Sequence, residues 1–262
     1  MRIAIGLEYD GSRFRGWQIQ QSGVATVQGT LERALGRVAA QPVTTVCAGR
    51  TDAGVHGMGQ VVHFDTHARR PMHAWVMGGN AHLPPALSIQ WARPVTEDFH
   101  ARFSAIARRY RYVILNCPHR SALAGPRFTF WYRPLEAEPM HRAGQCLLGE
   151  RDFSAYRAAE CQSRSPMRRV DFLEVRRRGD FVVLEIEANA FLHHMVRNIA
   201  GVLMAIGEGK RPVEWCQEVL ERRDRAQGGI TAPGEGLYLT QVRYPQRFGL
   251  PSRSSPLLEL LP

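Results

Sequence analysis

Apolar and polar positions along the chain change period several times, and each change marks an element. Ile3, Ile5, Leu7 and Tyr9 alternate with their neighbours, the pattern of a half-buried strand. Val27, Leu31, Leu35 and Val38 recur at helical spacing, with Thr26 placed as an N-cap. Residues 43–48 and 60–64 read as two strands flanking a glycine-rich loop. A helix over residues 72–81 is stopped by Pro84 and Pro85, and residues 88–95 read as a strand. The order is β-α-β-β-α-β, the ferredoxin-like arrangement.

The second half repeats that order without repeating the sequence. Residues 109–115 read as a strand and 140–148 as a helix; 169–177 and 181–188 form a hairpin across Gly179. Leu192, Met195, Val196, Ile199, Val202, Leu203 and Ile206 form one apolar helix stripe. Pro212 opens a further helix at its first turn, and residues 237–244 are the last strand. The predicted fold class is α+β. Two ferredoxin-like, RRM-like halves, 1–103 and 104–262, would carry antiparallel or mixed sheets and flank a basic cleft. Sheets of this type commonly offer an open face to RNA.

Composition sharpens this. The 262 residues hold 34 Lys+Arg against 24 Asp+Glu, a net charge of +10 and a pI near 10.0, which favours polyanionic partners. Lys210 is the only lysine. A GC-rich genome explains most of the arginine-to-lysine ratio but not the net charge. The five cysteines, at 47, 117, 146, 161 and 216, have neither zinc-site nor disulfide-framework spacing. Reduced intracellular thiols are expected, hence a cytoplasmic protein. The N-terminus reaches Glu8 without a long apolar run and does not read as a signal peptide. No stretch approaches the ~18 apolar residues of a membrane span. Only a short Ser/Pro/Leu tail after Pro251 is of low complexity.

Nucleotide-binding loops of the GxxxxGK[ST] and GxGxxG kinds are absent from the sequence. His193 and His194 are adjacent, so on a helix they diverge by about 100° and would not face one metal ion. The stretch FHARFSAIARRYRYVIL, residues 99–115, is basic and aromatic. As a strand it sets Tyr110 and Tyr112 on one face and Arg109 and Arg111 on the other. That suits base stacking and phosphate contact, and equally a core tyrosine pair under a solvated arginine face. QSRSPMRRV, with Gln162 and Arg164, adds to the same field or is a solvated loop. Arg197, among apolar helix positions, either needs a carboxylate partner or snorkels to the surface. In AGRTDAGVHGMGQ, residues 48–60, Asp52 follows Arg50 and lies among Gly49, Gly54, Gly57 and Gly59. By spacing alone it is a turn aspartate bonding its own backbone.

AGRTDAGVHGMGQVVHF resembles the signature of the TruA-type tRNA pseudouridine synthases. EYDGSRFRGWQIQ, FHARFSAIARRYRYVI, ANAFLHHMVRNIAG and EGLYL resemble further motifs of that family, in order and across nearly the whole chain. Arg15 and Ile19 depart from the first motif, where an aromatic and a polar or basic residue are expected. The resemblance implies conversion of uridine to pseudouridine at positions 38, 39 and 40 of the tRNA anticodon arm. This is an isomerisation by base flipping that needs no cofactor and no metal. It implies that Asp52 is the essential carboxylate, as nucleophile or as base, with Arg197 as candidate partner. It implies that Arg50 replaces the extruded base, that Tyr110 stacks on the uracil, and that Leu237 and Leu239 pack under the site. Arg102 joins the substrate-binding set, and Phe99, His100, Ala101, Phe103, Arg70, Gln162 and Arg164 the RNA-binding set. The glycines around Asp52 would let backbone and RNA approach closely. The partners implied are tRNA and a second copy of the chain, without a membrane. The rival readings are a non-catalytic RNA-binding module, a pseudouridine synthase for other RNA, and a metal-dependent nuclease. The last would need clustered carboxylates.

Overall fold

The computed structural model describes residues 1–20 and 23–251, so the tail after Pro251 lies outside the described residues. Among the described residues the chain forms two compact units: Met1–Ile106 with residues 238–251, and Ala107–Leu237. The division thus falls three residues beyond the expected 103/104, and the last strand joins the first unit from its second residue.

The first unit runs β1 (Arg2–Tyr9), α1 (Val27–Ala39), β2 (Val46–Cys47), β3 (His56–Asp65), α2 (Met72–His82) and β4 (Leu87–Val95), the predicted order. Antiparallel pairing sets β1 between β4 and β3, and β2 lies on β3. Thr26 caps α1: its hydroxyl accepts from Gly29 N at 3.3 Å. Ile3, Ile5, Leu7 and Tyr9 pack with Leu31 and Leu35 of α1 and Trp75 of α2. The half-buried expectation for β1 fails, because Ala4 on its other face is also buried, against Val61, Phe99 and Phe248. β2 is shorter than predicted. Thr45 N donates to Glu32 Oε1 at 2.7 Å, so that amide serves α1 instead of a ladder. β3 begins four residues early. His56 and Gly57 pair in parallel with Tyr238 and Leu239 of the strand Leu237–Arg243, a partner distant in sequence. Pro94 sits in β4, which pairs with β1 and has no other partner in the unit among the described residues, as an edge strand allows.

The second unit carries β5 (Ala107–Asn116), β6 (Thr129–Trp131), α3 (Ala137–Gly144), β7 (Gly149–Asp152), β8 (Met167–Arg178), β9 (Phe181–Ala188), α4 (Met195–Gly207) and α5 (Trp215–Arg222). The last strand, β10 (Leu237–Arg243), begins at its end. Its sheet order is β6-β5-β9-β8-β7, antiparallel except for β5 with β6. The β8–β9 hairpin turns at Gly179, whose φ is +57°. Relative to the predicted order, β6 and β7 are additional, while α5 is the helix expected after Pro212, beginning three residues later. Pro212 precedes α5 in a turn, its carbonyl accepting from Trp215 N at 3.1 Å. The apolar stripe of α4 is buried as predicted, but so are Asn198, Ala200, Gly201 and Met204. α4 is therefore a core helix and not an amphipathic surface helix. The two units make an α+β protein of mostly antiparallel strands, with five helices among the described residues.

Candidate active site

Arg50 and Asp52 lie on the loop between β2 and β3. Local hydrogen bonds hold this loop on both sides of Asp52. Trp17 N donates to Thr51 O at 2.9 Å, and Val55 N donates to Asp52 O at 3.2 Å. The second bond closes a turn that needs a positive φ at Gly54, observed at +81°. The Thr51 hydroxyl shares a 2.9 Å hydrogen bond with the buried Tyr9 hydroxyl. Gln60 Nε2 donates to Gly49 O at 2.6 Å and to Tyr9 Oη at 3.4 Å. Thr51 is buried, Asp52 half-buried and Arg50 exposed. A carboxylate on such a backbone is oriented before substrate arrives, which lowers the entropic part of a barrier.

The glycines allow close approach within the protein itself, at Gly59 by the backbone of Thr240. Gly57 and Gly59 are inside β3, and Gly49 is bonded to Gln60. A Cβ on Gly57 would lie 2.4 Å from the Tyr9 ring. These residues make room for the protein's own side chains and backbone, and so stiffen the loop. Burial holds the Tyr9 phenol above its ordinary pKa, so it stays protonated as a support for Thr51. Burial also pushes the Cys47 thiol up to about 12, which removes it as a nucleophile. Tyr9, Trp17, Thr51 and Gln60 were missed by sequence reasoning, since Tyr9 and Gln60 are separated by 51 positions.

The FHARF stretch, residues 99–103, forms a turn ahead of β5. His100 O accepts from Ser104 N at 2.8 Å, and His100 Nδ1 accepts from Arg102 N and Phe103 N, both at 3.2 Å. Phe99 and Ala101 have no exposed surface, so their side chains pack instead of meeting a ligand. Arg102 and Phe103 point out, and Phe103 is 76% exposed. Its ring stacks on His100, centroids 4.3 Å apart, with the Arg102 guanidinium 5.6 Å away. Arg70 is exposed, and its Nε donates to Val38 O at 3.1 Å, in the last turn of α1.

In the second unit, Tyr110 is buried edge-on to Phe191, with centroids 5.0 Å apart. Tyr112 is core, its hydroxyl 2.6 Å from Thr129 Oγ1 and 2.9 Å from Pro233 O. Tyr110 and Tyr112 share a face, as expected. The arginine face fits neither reading, because Arg109 and Arg111 meet Glu185 of β9 at 2.7 and 3.2 Å. Arg197 Nε donates to Ala232 O at 2.7 Å, and Arg197 O accepts from Ala232 N at 3.1 Å. Beside it, the buried Asn198 bonds Tyr156 O, Thr231 and Arg225. Leu237 and Leu239 of β10 are buried, while Gln162 and Arg164 are exposed on the loop before β8. The histidine argument fails on geometry. His194 has a φ of +61° and precedes α4, so the His193 and His194 rings lie 4.0 Å apart instead of diverging. No helix of the described residues is long and apolar enough to cross a membrane.

A family described as tRNA pseudouridine synthase matches residues 6–104 and 143–245. The "tRNA pseudouridine synthase A" of Nitrosococcus oceani is 61% identical over 98% of this chain and 99% of its own length. Those of Methylococcus capsulatus and Pseudomonas aeruginosa are 59% and 57% identical, covering 95% and 96% of this chain and 92% and 88% of their own. The chain belongs to the tRNA pseudouridine synthase family, a family of isomerases.

Proposed function

We propose that the protein isomerises uridine to pseudouridine in the anticodon arm of tRNA, at positions 38, 39 and 40, with Asp52 as the essential carboxylate. The observation that carries this reading is the turn bearing Asp52, anchored through Thr51 and Val55 in a chain of this family. The N1–C1′ bond breaks, the uracil turns, and C5 bonds to C1′. The C5 proton is lost and N1 gains one, so no atom or electron is gained overall. Asp52 acts as nucleophile toward the sugar or as the base that removes a ribose proton. Arg50, exposed beside it, fills the gap left by the flipped base. Tyr110 stacks on the uracil. Arg102, Arg197, Leu237 and Leu239 complete the substrate site. Phe103 and His100, with Arg70, Gln162 and Arg164, contact the tRNA. The working form is a cytoplasmic homodimer, because one subunit offers limited surface to an L-shaped ligand.

The test is incubation with unmodified tRNA without added cofactor, followed by mapping of pseudouridine. Asp52→Asn should abolish turnover and leave tRNA affinity little changed, since removing a negative charge does not weaken polyanion binding. Near-normal turnover by this variant excludes the mechanism; binding without any turnover by the native chain favours a non-catalytic RNA-binding module. Arg50→Ala should slow reaction at a paired uridine more than at the same uridine in an unstructured strand. Only the paired base must first be unstacked, at a cost of a few kcal/mol. Equal slowing on both substrates removes Arg50 as the base-replacing wedge.

A further inference from the structure

The turn that presents Arg102 and Phe103 is built on two imidazoles, and one of them is buried in the sheet. His63 lies in β3, paired with Ala4 of β1 and Val46 of β2, and is 4% exposed. Its Nδ1 accepts the Ala101 amide at 3.1 Å, and the Ala101 carbonyl accepts from the Tyr244 hydroxyl at 2.6 Å. The residue at the centre of the turn is thus held at both its amide and its carbonyl. Phe99, just before it, is wedged among His63, Tyr244 and Phe248, with centroids 5.9, 5.2 and 5.1 Å away. Its carbonyl accepts from Arg2 at 2.9 Å. From His63 the rings continue outward, to His100 at 4.9 Å and then to Phe103 at 4.3 Å.

We propose that His63 is a positioning residue for tRNA binding: its neutral ring holds Ala101 and, through His100, sets the outward-facing Arg102 and Phe103, so that acid dismantles the turn. The inference rests on the reading that this turn contacts tRNA. Its chemistry is simple. An imidazole accepts a hydrogen bond only at its unprotonated nitrogen, and an imidazolium accepts none. Three amides, those of Ala101, Arg102 and Phe103, depend on two such nitrogens. Protonation would remove the acceptor and set N–H against N–H, one of them in the core.

The charged groups facing the pair are Arg2 from β1, Asp65 from β3 and Arg102 from the turn itself, with Glu97 acting on Arg2. Burial lowers His63 to about 4; Arg2 and His100 push the same way, and Asp65 opposes them. His100 is lowered by burial and by Arg2 and Arg102. Both are bases depressed in the closed turn. The closed turn is therefore fully favoured above the ordinary histidine pKa near 6.5 and is lost as pH falls from there toward about 4. The sign is diagnostic. A histidine that served tRNA only as a surface cation would bind tighter in acid, since protonation adds positive charge.

The experiment measures tRNA affinity of the full chain at constant ionic strength from pH 7.5 down to 4.5, with near-UV circular dichroism at each pH. Affinity should fall by about fivefold or more while the fold signal persists. His63→Asn places an Oδ1 where Nδ1 stood, an acceptor that does not titrate, and should diminish the acid fall to the part carried by His100. His63→Leu lacks the acceptor and should raise the tRNA concentration for half-saturation while single turnover at saturation is retained. If that variant does not fold, the native chain and His63→Asn still carry the test. Affinity that stays level or rises in acid with the fold intact overturns the proposal, as does an undiminished fall in His63→Asn. Phe103→Ala at pH 7.5 separates the two layers. If it leaves affinity unchanged, the turn does not contact tRNA. If it weakens binding but acid does not, only the role of His63 fails.

Discussion

Two neighbouring segments, 99–104 and 108–112, share a composition of arginines and aromatic rings, yet the fold uses them in opposite ways. In the first, Phe99 is buried as an anchor, and Arg102 and Phe103 face out from a turn closed by His100 and Ser104. In the second, β5 pairs with β9, and Glu185 draws Arg109, Arg111 and Arg176 into one ion-pair network. The Arg109 guanidinium also lies 4.6 Å from the Phe172 ring. A basic stretch therefore does not by itself define a basic surface. What decides is whether the topology brings a carboxylate opposite. Here it comes from β9, 74 positions beyond Arg111.

The largest effect should come from removing that carboxylate. Arg111 and Glu185 each expose only 8% of their side chains. Glu185→Ala leaves a buried arginine without its carboxylate, and breaking such a pair costs about 3–5 kcal/mol. A denaturant melt should register most of this. A loss below roughly 1 kcal/mol would mean that the arginines reach water, and the contrast between the segments would collapse.

Phe103→Ala should do the reverse. The ring is mostly exposed, so stability should change by no more than about 0.5 kcal/mol. If the ring stacks on a base, tRNA affinity should fall by about 1–3 kcal/mol. Stability loss without affinity loss would make Phe103 part of the protein's own packing.

These contrasts mark what the linear chain could reveal. The helix from Val27, the strand from Arg2 and the Gly179 hairpin were legible, because each depends on period or on one turn residue. The role proposed for Asp52 comes only from family resemblance. By spacing it was an ordinary turn aspartate, and the Tyr9, Trp17 and Gln60 contacts that stiffen its loop come from other elements. The His193–His194 inference failed because it assumed helical geometry one residue too early, at a position whose φ is positive. The early start of β3 was hidden for the same reason as the Glu185 network: its partner, β10, lies far along the chain.

The smallest effect tests the comparison most directly. Counterion release ties the slope of log affinity against log salt to the number of phosphates neutralised, about 0.7 to 0.9 per contact. Arg102 is exposed beside Phe103, and on the proposed reading it meets phosphate or base. Arg102→Ala should then flatten the slope by nearly one contact, while the melting temperature changes little. Arg111→Met removes the same formal charge from the sequence. Its guanidinium already faces Glu185, so the slope should not move, although stability should fall. Both variants must be compared at a temperature where each is folded, with the same tRNA and the same anion. Equal flattening would mean that tRNA senses net charge and not its placement, and the two segments would be equivalent to a polyanion. Flattening by Arg102→Ala alone would show that Glu185 withdraws the arginines of β5 from the RNA, leaving the turn at 99–104 to carry the contact.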